Sequence, residues 1–188
     1  NWVIYIHGCA GFGKSGSVCE PIITLIGQKG FEGIWYDFTS TYTTEKVYLS
    51  YENTSIKVKN IDFKQPLLSD RVNPIDPKYL IKSAVVLEYS QVVINNLLPE
   101  SIKKPDYWSS NAKMILAGVI WFLRNEHPQY CTLPHAISLI LHNSADSLIA
   151  KISQDYEAGG MVESLRESIE RGAERTVAGM LSTLQNAL

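Results

Sequence analysis

The string Gly8-Cys9-Ala10-Gly11-Phe12-Gly13-Lys14-Ser15 constrains this chain more than any other stretch. It meets G-x-x-x-x-G-K-[ST] in full and stands directly behind the apolar run at residues 2–6. Each residue type in it has a physical job. Gly8, Gly11 and Gly13 can take positive φ and let backbone amides converge on phosphate oxygens without interference from a Cβ. Lys14 can place an ammonium on the β- and γ-oxygens, and Ser15 can offer its hydroxyl to Mg²⁺. A helix starting here would add about half a positive charge facing the phosphates. The expected ligand is ATP with Mg²⁺, held by Gly8, Gly11, Gly13, Lys14, Ser15 and Gly16, with Ser15 on the metal and Lys14 also acting in catalysis.

The flanking pattern predicts an α/β arrangement. Residues 2–7 are β-branched and aromatic with almost no polar break, as in a parallel strand covered on both faces. After the turn, Val18, Ile22, Ile23 and Ile26 follow helical spacing, with Pro21 removing one donor early and Gly27 and Gly30 marking the end. A second apolar run, residues 33–38, carries Asp37, so the first forty residues read as strand, phosphate turn, helix, strand. Asp37 is the expected acid on the Mg²⁺ side, although it comes only 23 positions after Lys14. Glu88, the other candidate, follows helical spacing and belongs on a helix surface. A further acidic motif is expected beyond Leu188.

Between residues 39 and 66, "KVYLSY" and "SIKVKNIDF" alternate apolar with polar, which predicts short edge strands or a hairpin. Two prolines in "RVNPIDP", residues 71–77, bar regular structure and suggest a boundary. Beyond it the period becomes helical. Ile81, Ala84, Val85, Val92, Val93 and Leu97 form one stripe; Trp108, Ala112, Ile115, Val119, Phe122 and Leu123 a second; Ile137, Ile140 and Leu141 a third; Leu148, Ile152 and Tyr156 a fourth. The expected plan is a nucleotide-binding part at 1–72, an all-α insertion at 73–160 resembling a four-helix bundle, and a helical return toward the nucleotide-binding part at 161–188.

The remaining composition narrows little. A net charge of −2 provides no chain-wide basic field for nucleic acid, and Cys9, Cys19 and Cys131 are an odd number at no metal-ligand spacing. No apolar run reaches the roughly 18 to 20 residues of a membrane span, and nothing resembles a signal peptide. The chain opens without Met in a strand-like run and stops within a helical pattern, which suggests a piece of a longer protein.

Taken together, "GCAGFGKSGSVCEPII", "GIWYDF", "RVNPID", "YWSSNAKMILAGVIWFLR" and "RTVAGMLSTLQNAL" resemble the coupling proteins of type IV secretion and conjugation, hexameric P-loop ATPases related to DNA-pumping motors, near the branch found in Bacteroidetes mobile elements. The resemblance spans nearly the whole chain. It implies a RecA-like nucleotide domain interrupted by a membrane-distal all-α domain, anchored at the cytoplasmic face of the inner membrane by helices outside this sequence. It also implies a homo-hexamer that meets DNA through a relaxase complex and contacts secretion-system proteins. The family's phosphate-binding residues carry over to Gly8, Gly11, Gly13, Lys14 and Ser15, and Asp37 matches the acid after its second strand. Family members often continue that strand as Asp-x-Lys-Gly-Glu, whereas this chain runs Asp37-Phe38-Thr39-Ser40-Thr41. A nucleotide-gated docking module for a protein partner is the alternative reading, and a small-molecule kinase, which would need an Arg-rich lid, is a weaker third.

Other features have plainer explanations. His127, His135 and His142 with Cys131 could suggest zinc, but Pro128 and Pro134 break the segment and favour loop and helix-end roles. Trp108 could stack on a base or simply pack. Lys57, Lys59 and Lys64 around Phe63 form the one basic cluster with an aromatic inside it. Arg171 and Arg175 sit in a mixed-charge helix face and could reach a neighbouring subunit's nucleotide.

Overall fold

Helices form wherever the chain can close an apolar stripe, and they form in one place where an extended segment is expected. The computed structural model describes residues 6–36, 44–103 and 106–188. It divides into two units, residues 1–71 and 72–188.

In the first unit a turn of π-helix, Ser15–Cys19, runs directly into α1, Glu20–Gln28. Pro21 falls just inside α1, so the continuous run from Ser15 loses one N–H donor there. Gly30, at φ +68°, ends the helix. The segment "KVYLSY" is not an edge strand: it lies within α2, Thr44–Tyr51. Val47 and Tyr51, one helical turn apart, are buried against Ile23, while Leu49 between them is exposed. Gly27 permits this packing, since a Cβ there would stand 2.6 Å from the carbonyl oxygen of Ser50. Tyr51 Oη donates to the Phe31 carbonyl at 2.7 Å and ties α2 to the end of α1. Ile56 and Val58 pack on this small core from irregular backbone.

The expected α/β, RecA-like sheet is therefore corrected: among the described residues there are helices and no strand. Residues 6–9 and 31–36 are irregular, and Ile34 and Tyr36 are 99% and 87% exposed. The physical reason is a shortage of neighbours. A parallel strand buried on both faces needs strands beside it and helices across it, whereas residues 1–71 offer two apolar runs, and an isolated two-stranded pair is marginal.

The second unit is built around α5, Tyr107–Glu126. Asp106 caps it, accepting the Ser109 amide at 2.7 Å, while Ser109 closes the reciprocal half of a capping box. Nine consecutive residues, 115–123, are buried, so α5 is covered on every side. α3, Ser83–Leu97, α6, Leu133–Leu141, α7, Ala145–Ile152, α8, Tyr156–Met161, and α10, Glu174–Ala187, pack around it. α4, Glu100–Lys103, and α9, Glu163–Glu170, sit on that shell. The expected bundle of four helices is thus a central helix with a wrapped coat. Residues 161–188 share its core through Val162, Leu165, Val177, Met180 and Leu184. Gly118 lets the coat approach, because a Cβ there would lie 3.0 Å from Ile152 Cγ2 and 3.2 Å from Val162 Cγ1.

The Asn-Pro segment is tied down at the start of this unit. Asn73 donates to the Cys131 carbonyl at 2.8 Å, and Ile75 and Leu80 are fully buried. Arg124 Nε donates to the Leu80 carbonyl at 3.0 Å, with its guanidinium 4.7 Å from the Trp121 ring centre. Among the described residues no helix is long and apolar enough to cross a membrane.

Candidate functional site

Two residues in the turn at 8–17 need backbone that only glycine takes readily: Gly11 has φ +81° and Gly13 has φ +71°. Gly8 does not take positive φ, and its value lies elsewhere. A Cβ there would meet Lys14 Cδ at 3.3 Å, so the missing side chain makes room for the lysine stem. Lys14 folds back across the turn, and its Nζ donates to the Cys9 carbonyl at 2.6 Å. The ammonium is thereby held within the turn itself, against the carbonyl of Cys9.

The helix beyond opens at once. Lys14 already has helical dihedrals, and Ser17 donates its amide to the Gly13 carbonyl at 2.8 Å. Amides in the first turn of a helix have no carbonyl one turn back, so the donors at 14–16 are available to an acceptor in front of the turn. The start is a π turn, wider than an α turn and often found at functional sites. Ser15 and Gly16 are exposed, and a Cβ at Gly16 would meet nothing. Phe12, 80% exposed, stands at the tip.

Of the residues expected to act on a nucleotide, Gly8, Gly11, Gly13, Lys14, Ser15 and Gly16 thus lie together in one exposed turn. Asp37 lies outside the described residues. Glu88 is exposed on α3, as its spacing predicts. The carbonyl of Cys9 has no signature in sequence, because a backbone acceptor can belong to any residue type.

Elsewhere the structure answers several of the other candidates. Lys59 is engaged by Asp70 at 3.0 Å, so one cation of the basic cluster is neutralised, and the Asp70 carboxyl is lowered first by the Asn60 amide and then by Lys59. Phe63 is 93% exposed. Trp108 is half-exposed, with its ring edge set against Gly179 of α10. Arg171 pairs with Glu167 at 2.9 Å, and Arg166 with Glu163, on the outer face of α9. Among the described residues no three His, Cys, Asp or Glu side chains are placed to hold a metal ion. Comparisons with protein-family models, with curated proteins and with solved structures return no match for this chain.

Proposed function

We propose that the turn at residues 8–17 binds ATP with Mg²⁺, and that the protein spends this nucleotide as the motor of a type IV coupling protein, driving relaxase-bound DNA toward a secretion channel. The observation that carries the first half is the conformation of the turn: two positive-φ glycines, a helix start, and an ammonium folded back onto the Cys9 carbonyl. These groups fit a polyphosphate. The donors are backbone amides, one ammonium and one hydroxyl, and the gap at Gly8 that a Cβ would fill is the one the lysine stem occupies.

Binding would exchange the Cys9 carbonyl on Lys14 Nζ for phosphate oxygens, replacing a hydrogen bond to a neutral acceptor by stronger charge-assisted ones. Ser15 would turn its hydroxyl to the metal, and the first-turn amides with the helix dipole would hold the remaining phosphate charge. Bound there, the magnesium nucleotide supplies a transferable phosphoryl group. Asp37 is the assigned acid on the metal side. The grip is local to ten residues, and any ordering of the turn on binding is subtracted from its binding free energy.

The motor half rests on the sequence resemblance. On that reading the full-length protein is a homo-hexamer at the cytoplasmic face of the inner membrane, and its partners are a relaxase–DNA complex and channel proteins. The experiment is a thermal melt with ATP and Mg²⁺. Ligand at about a hundred times its Kd stabilises the native state by about 2.7 kcal/mol, a shift of several degrees. Lys14→Ala should remove it. No shift, or an equal shift in Lys14→Ala, overturns the nucleotide reading. DNA that leaves the ATPase rate of the full-length protein unchanged overturns the motor in favour of a nucleotide-gated docking module.

A further inference from the structure

His127, His135 and His142, the first separated from the others by Pro128 and Pro134, come to one cleft of about 510 Å³ in the second unit, between the end of α5 and helices α6 and α7. Its walls carry two ring pairs. Phe122 and His127 meet edge-on with centroids 5.5 Å apart, and Tyr130 lies against His135 at 5.1 Å with the planes tilted by 48°. Thr132 Oγ1 fixes the His135 ring through Nδ1 at 2.7 Å. His142 Nδ1 sits 2.9 Å from the Ser138 carbonyl, which can only accept, so this nitrogen carries the proton.

Lys151 also lines the cleft. It is half-buried, and its Nζ donates to Asn143 Oδ1 at 2.6 Å, an oxygen that also receives Ser147 Oγ at 3.2 Å. An ammonium has three donors, and here it meets one shared, neutral acceptor. Among the described residues no carboxylate lines the cleft. The nearest in sequence, Asp155, has both oxygens engaged, by Asn125 Nδ2 at 2.8 Å and the Ala158 amide at 2.6 Å. A partly desolvated cation without a counter-charge favours an anion that can reach it. The three histidines are not placed as a metal site.

The geometry points to a binding site for a planar aromatic monocarboxylate, its rings between the two ring pairs and its carboxylate on Lys151. The cleft is within the range of about 300–1,000 Å³ that encloses small ligands, and it suits one or two fused rings. With one ammonium facing it, the site matches a single negative charge rather than a polyphosphate.

The test is calorimetric titration of the whole chain with naphthalene-2-carboxylate and with its uncharged isostere, naphthalene-2-carboxamide. The acid should bind about tenfold more tightly than the amide. Lys151→Met should erase that gap and Lys151→Arg should keep it, while Tyr130→Ala should weaken both probes. A melt of each variant separates lost binding from lost folding. If Lys151→Met fails to fold, the acid–amide gap in the native protein and its retention in Lys151→Arg still decide the matter. Equal binding of the two probes, no saturable binding of either up to about 1 mM, or a gap that survives in Lys151→Met overturns the assignment.

Discussion

Replacing Gly27 by alanine tests the packing of α1 on α2, the feature that replaces the expected edge strand. Two effects oppose each other. Alanine is a better helix former than glycine by about 1 kcal/mol in a helix interior. Against that, the new Cβ would stand 2.6 Å from the Ser50 carbonyl oxygen and 2.9 Å from its carbonyl carbon. These atoms are backbone of α2 and cannot swing aside, so the helices must separate. Overpacking of this kind costs about 1–3 kcal/mol, and the rigid neighbour puts this site near the top of that range. The net effect is a loss of about 1–2 kcal/mol from a small core of Ile23, Val47 and Tyr51. Hydrogen exchange read by mass spectrometry on peptides covering 20–28 and 44–51 reports it directly, and opening rates there should rise about 5- to 30-fold. Ser50→Gly in the same chain should rescue little, because it removes the Cβ contact at 2.7 Å and leaves the carbonyl in place. Gly160→Ala is the control: that site in α8 has nothing within 4 Å, so the same change should be neutral or stabilising. Unchanged or slower exchange in Gly27→Ala would show that residues 44–51 do not lie against α1.

Further outcomes follow from two titrating groups. Burial, reinforced by Asp76 and opposed by Arg124, pushes the Cys131 thiol up to about 11, so iodoacetamide at mild alkaline pH should label exposed Cys9 well before Cys131 in the native protein and all three thiols in denaturant. Because the native state keeps this proton where an unfolded thiol has lost it, the contribution of Cys131 to stability should fall as pH rises from about 9 to about 11, and alkaline melts of Cys131→Ser should lack that component. Asp106 is held below the ordinary carboxylate range, first by the Ser109 amide and then by the Ser109 hydroxyl. Its share of stability is present above the unfolded carboxylate range and lost as pH falls through the lowered native value, so acid should fray the start of α5, seen as faster exchange at 107–110 in native but not in Asp106→Asn protein.

How much of this could be read from sequence depends on which competitor each residue faces. The stripe along α5 was legible because local spacing and packing agree there: Ala112, Ile115, Val119, Phe122 and Leu123 are all buried. On α3 they disagree. The buried face is Val86, Ser90 and Ile94, whereas the apolar spacing picks Val92, which is exposed, and Val85 and Val93, which are only partly buried; a serine in mid-stripe hides the true face. In α2, Val47, Leu49 and Tyr51 satisfy a period of two, while Val47 and Tyr51 alone satisfy a helical turn, and the choice is made by Gly27 on another element. The sheet was inferred from two apolar runs whose partners the described residues do not provide. In the phosphate turn, residue types were readable and the Cys9 carbonyl was not. The cleft was hidden because Pro128 and Pro134, which separate His127 from His135 along the chain, also bend the segment that brings them together.

The nine covered residues of α5 have a consequence during synthesis. The sequence "ILAGVIWFL" contains no charge, and it leaves the ribosome before α6 to α10 exist to cover it. For the time needed to add roughly sixty more residues, at about 5–20 per second, the nascent chain carries an adhesive spine shielded by α3 alone. Expression yield should therefore respond to translation speed and chaperone supply more than the finished fold's stability would suggest.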